Sequence, residues 1–394
     1  MNKRNLQFIA AGLVMMLFGI TMVVVGTINN YLTVEFGADK VLIGYYAAIL
    51  ALGVLAGTLA FGPVADHYGY KPVMLAGVVL VAAGLAGITA SGSLQAVPWF
   101  FFLTGAGGGM LNGVTNVVVA RIFPENSSAY LSLLGVFYGA GALGLPLITS
   151  LMLESGFSYR FILTSVAALL LVPFIIVLAL KFPKPQRSKA IPFKTYAGFF
   201  TKKAILLPGF FLFFQSGIEA IVPVWAPVYL SESYSAGYDK ALYAITAAAL
   251  GMLLARLALS RVLQKKAPDK VLMVSLLIMA AAIVMLQVAG SLTSGLLAMG
   301  IIGVGMAAAF PVIMGYTADF FPDDSGTAFS IVIAIALVGN MILNAVTGYV
   351  LETGGTGKFI MMLAFFTAAL IILLITIQNK LIKNKYNVSK GMAE

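Results

Sequence analysis

Gly105-Ala106-Gly107 and Phe123-Pro124-Glu125 recur 198 residues later as Gly303-Val304-Gly305 and Phe321-Pro322-Asp323, and the same shift carries Leu52-Gly53-Val54-Leu55 onto Leu250-Gly251-Met252-Leu253. Chance supplies any one of these matches, but one register serving three distant segments points to two tandem copies of a unit about half the chain long. The 394 residues around them are 61% hydrophobic and only 10% charged, with a mean hydropathy of +1.01. Soluble chains carry about 25% charged residues, so this one lacks the polar groups to cover a water-facing surface. The repeated unit belongs in a bilayer.

Apolar runs begin near Gln7, Lys40, Pro72, Gln95, Ser127, Tyr159, Ile205, Asp239, Lys270, Ser291, Thr327 and Lys358. Twelve spans of about 25 residues use about 300 residues, which leaves no room for a soluble catalytic domain, and no enzyme activity is expected. The expected fold is an all-α membrane protein, with twelve transmembrane helices in two six-helix bundles related by a pseudo-two-fold axis. Its expected parts are an N-terminal bundle over 1–182, a linker over 183–204, a C-terminal bundle over 205–382 and a tail over 383–394. Pro183, Pro185 and Pro192 mark the linker. Phe193, Tyr196 and Phe200 would lay one face of it on the membrane surface, although a plain linker fits as well.

The net charge of +10 suggests nucleic acid until its distribution is examined. Nineteen of the 24 basic residues fall on segments that share a side with the N-terminus, four fall on the opposite side, and Arg256 stays inside a span. This is the positive-inside pattern. It places both termini in the cytoplasm of a bacterial inner or plasma membrane, makes anionic lipid heads the partners of the basic excess, and gives no role to nucleic acid. With no Cys and His67 as the single His, thiolate zinc sites, iron-sulfur clusters and disulfides are excluded, and neither metal nor cofactor is expected. Gly139 to Gly144 spells GxGxxG without the strand a dinucleotide site requires. Gly354-Gly355-Thr356-Gly357-Lys358 is no P-loop either, so transport driven by ATP in this chain alone is not expected. A monomer is.

Thirteen of the fourteen acids fall at loops, span ends or the tail, and Glu219 alone sits mid-span. Arg256 lies in the next span at a height about 7–8 Å different, within reach of an arginine side chain. A charge in hydrocarbon costs about 2.5–3.5 kcal/mol on insertion scales, so these two are expected to face each other or a wet cavity. They are candidates for proton coupling, and the same pair would also serve as an inert structural ion pair. Amides form a second group: Asn30, Asn112 and Asn116 four apart, Gln215 four before Glu219, and Asn340 and Asn344 four apart. Spacing of four puts each pair on one helix face. With Tyr138 and Trp225, this set suits hydrogen bonding and ring stacking against a small polyhydroxylated solute, or else ordinary bonds between helices.

The loop expected between the second and third spans, Gly62-Pro63-Val64-Ala65-Asp66-His67-Tyr68-Gly69-Tyr70-Lys71-Pro72, resembles the G-x-x-x-D-R-x-G-R-K signature of the major facilitator superfamily, with His67 and Tyr70 in place of arginines. The resemblance implies a conformational latch made of Gly62, Asp66, Gly69, Lys71 and Arg121, with Arg121 as the partner of Asp66. Asn29-Asn30-Tyr31-Leu32, Asn112-Gly113-Val114-Thr115-Asn116 and Gly217-Ile218-Glu219 are similar to the fucose-permease-like branch of sugar:proton symporters. Fucose permeases proper carry acids where Asn30 and Asn112 stand, which leaves Glu219 as the remaining coupling candidate. The expected function is secondary transport of a small polar solute, a sugar, by alternating access with protons. An exporter or flippase of amphiphilic drugs or lipids is the alternative that predicts a greasy cavity, and a nontransporting membrane sensor is the third.

Overall fold

A computed structural model describes residues 3–183, 202–263, 265–321 and 325–382. The expected tail, nearly all of the expected linker and the side chain of Asp66 lie outside the described residues. Among the described residues there is no strand. Twelve helical segments follow one another: α1 (Lys3–Thr27, continued as Asn29–Phe36), α2 (Lys40–Tyr68), α3 (Tyr70–Ala90), α4 (Val97–Ile122), α5 (Ser127–Glu154) and α6 (Tyr159–Leu169 with Leu171–Ala179), then α7 (Lys203–Tyr234), α8 (Tyr238–Ala241 with Tyr243–Val262), α9 (Pro268–Gln287), α10 (Leu292–Met306 with Ala309–Phe320), α11 (Ser325–Gly354) and α12 (Lys358–Ile377).

Eleven of these are long and apolar enough to cross a membrane. The twelfth, α4, is long enough at 26 residues, but its glycines, Asn112 and Asn116 dilute its hydropathy. Those glycines have a packing role. A methyl group on Gly105 would strike the Leu50 carbonyl, and one on Gly53 would strike the Phe102 carbonyl, so α2 and α4 cross with their backbones in contact. Small residues let helices approach this closely where no hydrophobic effect drives association.

The repeat is visible atom by atom. In the second half Gly303 meets the Ala248 carbonyl and Gly251 meets the Gly300 carbonyl, which is the α2–α4 crossing displaced by 198 residues onto α8 and α10. Gly107 packs on Val81 of α3, and Gly305 packs on Met279 of α9. Phe123 and Phe321 end their helices with nearly the same backbone angles, φ −127° and −134° and ψ 62° and 64°. Each donates its N–H four residues back, to Val119 at 3.1 Å and to Thr317 at 3.2 Å. The two halves are therefore six-helix bundles built on one plan.

Where the sequence pointed to a loop over 62–72, helix α2 continues through Pro63 to Tyr68, and α3 begins at Tyr70. The turn is Gly69 alone, at φ 92°, a backbone conformation that costs glycine little and other residues more. Prolines shape the helices nearest the molecular centre. Each removes a donor from the carbonyl four residues earlier: Pro146 from Ala142, Pro223 from Glu219, and Pro311 from Ala307, where α10 is interrupted at Ala307 and Ala308. Large apolar side chains such as Trp99, Leu169 and Phe365, each more than 60% exposed, lie on the perimeter, where only lipid can cover them.

Replacing Gly105 or Gly303 with Leu should cost about 1–3 kcal/mol each by overpacking. Gly144→Ala, which meets nothing within 4 Å, should be neutral. Thermal unfolding of the purified variants followed by size-exclusion chromatography checks this, and equal midpoints for all three would contradict the crossing geometry.

Candidate functional site

Between the halves lies a cavity of about 440 Å³. Val23 of α1 and Leu131, Gly135, Val136, Tyr138, Gly139 and Ala142 of α5 form its N-terminal wall. Glu219, Val222 and Pro223 of α7, residues from Ile245 to Leu263 of α8 and Met306, Phe310 and Pro311 of α10 form the other. Of its 22 described lining residues, seventeen are apolar and two are glycines, and the charges among them are Glu219 and Arg256. Among them Tyr138 supplies the hydroxyl.

The two charges face each other as their heights on α7 and α8 imply. Arg256 Nη2 lies 3.6 Å from Glu219 Oε1, with side chains 36% and 29% exposed, so neither is sealed away from solvent. One turn before Glu219, Gln215 donates its Nε2 both to Glu219 Oε1 at 3.1 Å and to the Met306 carbonyl at 3.2 Å. That carbonyl ends the first part of α10, immediately before the interruption. Gln215 therefore ties the carboxylate on α7 to the break in α10. Its own Oε1 is buried without a hydrogen-bond partner.

The other amides lie off this wall. Asn116 donates to the carbonyl and side-chain oxygens of Asn112 at 2.8 and 3.0 Å, on a half-buried face of α4. Asn344 does the same to Asn340 at 3.0 and 3.1 Å, both buried. This second pair borders a separate gap of about 20 Å³ against α1, α2 and α7. Trp225 is fully buried, and its indole N–H has no partner. Asn30 is half-buried in the continuation of α1, while its neighbour Asn29 donates to the Val224 carbonyl at 3.0 Å.

The residues of the expected latch lie at the end of the molecule that carries the first described residues. Lys71 donates to the Leu178 carbonyl at 2.5 Å, the Arg121 guanidinium sits 5.6 Å above the Tyr70 ring, and Gly62 has open space beside it. The contacts joining the two halves cluster at the opposite end. Lys40 Nζ pairs with Glu232 at 3.2 Å, and its backbone N–H donates to Glu352 at 3.0 Å. Ser150 donates to the Asp239 carbonyl at 2.7 Å, Tyr238 to the Gly26 carbonyl at 2.9 Å, and Tyr243 to Glu154 at 3.2 Å. Gly44 and Gly348 let α2 and α11 touch backbone to backbone at this end. The cavity runs from mid-helix, at Ala142 and Ile245, away from this joint toward Leu131 and Leu263.

Sequence reading singled out the charged pair and missed the apolar wall. It also missed the joint, since Glu232 and Glu352 counted only as acids at span ends. The wall residues carry no signal that distinguishes them from core or lipid-facing positions.

The profile of the Major Facilitator Superfamily matches residues 8–268 and 209–391, two overlapping matches that together span both halves. The uncharacterized MFS-type transporter YfkL of Bacillus subtilis (strain 168) is 23% identical over 347 residues, covering 86% of this chain and 87% of its own. The inner membrane transport protein YdiN of Escherichia coli (strain K12) is 24% identical over 348 residues, covering 86% and 82%. The crystal structure of a D-xylose-proton symporter superposes with a TM-score of 0.82 at 15% identity, over 95% of this chain and 97% of the other, which shows a shared fold. With two equivalent bundles, a cavity between them and a profile match across both, the chain belongs to the Major Facilitator Superfamily and is built as a secondary transporter.

Proposed function

We propose that the protein carries an amphiphilic organic solute through the cavity between its halves by alternating access, coupled to a proton held at Glu219. The observation that carries this reading is the composition of the described wall: hydrocarbon nearly throughout, with one carboxylate and one guanidinium among the described residues. Apolar walls with a few placed polar groups select ligands that are mostly apolar with one polar end. A small polar solute such as a sugar, expected from the amides and from the resemblance to fucose permeases, would need those amides on the wall. Asn112 with Asn116 and Asn340 with Asn344 bond within their own helices, the second pair beside the small separate gap, and Asn30 is outside the lining. The amphiphilic alternative therefore has the better support.

Coupling follows from the pair. A guanidinium is a fixed positive charge, so the coupled proton is assigned to Glu219. A lone charge against hydrocarbon is costly, so the protonation state of Glu219 and the occupancy of the cavity bias one another, which is a coupling free energy between two ligands. With both termini cytoplasmic, as the positive-inside pattern supports, the joint at Lys40, Glu232 and Glu352 closes the outer side and the cavity faces inward. On this reading Gly62, Asp66, Gly69, Lys71 and Arg121 form the inner latch, which closes when the outer joint opens.

Two outcomes test this reading. In proteoliposomes, labelled aromatic amphiphiles should cross and labelled sugars should not. A pH gradient of one unit should drive up to about ten-fold accumulation, and Glu219→Gln should lose that drive while retaining exchange. Sugar flux alone, or an unchanged response to the gradient in the variant, would overturn the assignment. At the outer joint, Lys40→Gln should weaken closure by about 0.2–1 kcal/mol, the worth of an exposed ion pair. The open-outward population then rises at most about five-fold, read as a spin-label distance between the ends of α2 and α11.

A further inference from the structure

Resting on the amphiphilic reading above, the geometry points to the chemical class of the cargo: we infer that it is an organic anion, an amphiphilic weak acid such as a carboxylate, that occupies the cavity together with one proton on Glu219. Among the described residues the charges on the wall are Glu219 and Arg256, which sum to zero when the cavity is empty. A cationic cargo would bring the sum to plus one, with Arg256 and the cargo both competing for one carboxylate. An anion alone would bring it to minus one. An anion accompanied by a proton restores zero: the proton from solvent neutralises Glu219, and Arg256 transfers its pairing to the cargo. Net charge against hydrocarbon is disfavoured, so this last combination is the one the wall accepts.

Two details of the site fit this exchange. Arg256 Nη2 stands 3.6 Å from Glu219, longer than the 2.7–2.9 Å typical of a charge-assisted hydrogen bond. Its planar fork of donors matches a carboxylate in bidentate fashion, a geometry that the long contact to Glu219 does not use. Gln215 supplies the second detail. Its Nε2 faces two acceptors, Glu219 Oε1 and the Met306 carbonyl, while its Oε1, in a side chain 1% exposed, has no partner. A protonated Glu219 becomes a donor and needs an acceptor. Rotation of the Gln215 amide would present Oε1 to it in exchange for the bond from Nε2 to the Met306 carbonyl, so a buried acceptor for the neutral acid lies one side-chain rotation away.

Among the described residues the ionisable groups facing Glu219 are Arg256 from α8 and Tyr138 from α5. From α1 the wall receives Val23, and from α10 Met306, Phe310 and Pro311, none of them ionisable, while α11 and α12 contribute nothing among the described residues.

The test is calorimetric titration of the full chain in lipid nanodiscs near neutral pH, in two buffers of different ionisation enthalpy. Three matched probes serve: 2-naphthylacetate, 2-naphthylacetamide and 2-(2-naphthyl)ethylammonium. The expected result is that naphthylacetate binds at least about ten-fold tighter than the amide, as a charge-assisted bond implies, with net uptake of close to one proton. Glu219→Gln should retain naphthylacetate binding without proton uptake, and Arg256→Gln should lose the preference for the anion. Equal or tighter binding of the amide or the ammonium, or anion binding to the wild-type chain without proton uptake, would overturn the inference and leave the amphiphilic reading standing. Failure of all three probes to bind would overturn that reading and this inference together.

Discussion

Two opposite charges 3.6 Å apart on an otherwise hydrocarbon wall impose the constraint on which the rest of the site depends, because neither tolerates being left alone there. Breaking a buried pair by removing one partner costs about 3–5 kcal/mol, and the partial exposure of both side chains makes the cost here smaller. Proton, cargo and conformation are thereby linked without a dedicated relay. Gln215 extends the linkage into the backbone, since its amide bonds both the carboxylate and the carbonyl at which α10 breaks. Pro223 withholds a donor from the Glu219 carbonyl in α7, and α10 breaks just after Met306 with Pro311 beyond, so Glu219 and the carbonyl that Gln215 links to it both sit beside weakened helix backbone.

The halves themselves are built to move as units. In each, three helices lock through glycines that bring backbone against backbone: Gly53, Gly105 and Gly107 in the first, and Gly251, Gly303 and Gly305 in the second. Close-packed crossings of this kind resist continuous deformation. Between the halves, the joint is made at one end, by Lys40 with Glu232 and Glu352 and by the hydroxyls of Ser150, Tyr238 and Tyr243. A rigid pair of bundles tied at one end and separated by a cavity toward the other is the arrangement that rocking about a central site requires.

Much of this was legible in the chain. Span positions follow from hydropathy because backbone groups in lipid must be satisfied by helix, which leaves little choice of structure. The shift of 198 residues was legible because the crossing glycines cannot change without collision, so each half keeps them. Glu219 and Arg256 stood out because isolated charges within apolar runs are expensive. The amides stood out for the same reason, but Asn112 with Asn116 and Asn340 with Asn344 bond within their own helices, which spacing of four permits as readily as facing a solute. The cavity wall was not legible. In a chain 61% hydrophobic, Val222, Met252 and Phe310 carry the same signature whether they face lipid, core or cargo. The turn at Gly69 was shorter than the motif suggested because α2 continues through Pro63, which tolerates helix on its C-terminal side.

The absence of cysteine permits a direct measurement of the central claim that this wall meets each side of the membrane in turn. Ala249→Cys, on the wall facing Glu219 across α8 and α7, is exposed to a membrane-impermeant maleimide added to one side of proteoliposomes or the other. Alternating access predicts labelling from both sides. It further predicts that a cross-link between Lys40→Cys and Glu352→Cys, introduced in a separate chain labelled with a distinguishable thiol reagent at the wall, abolishes labelling from the side of the joint and preserves it from the side of the termini. Labelling from a single side, whether or not the cross-link is present, would contradict the account.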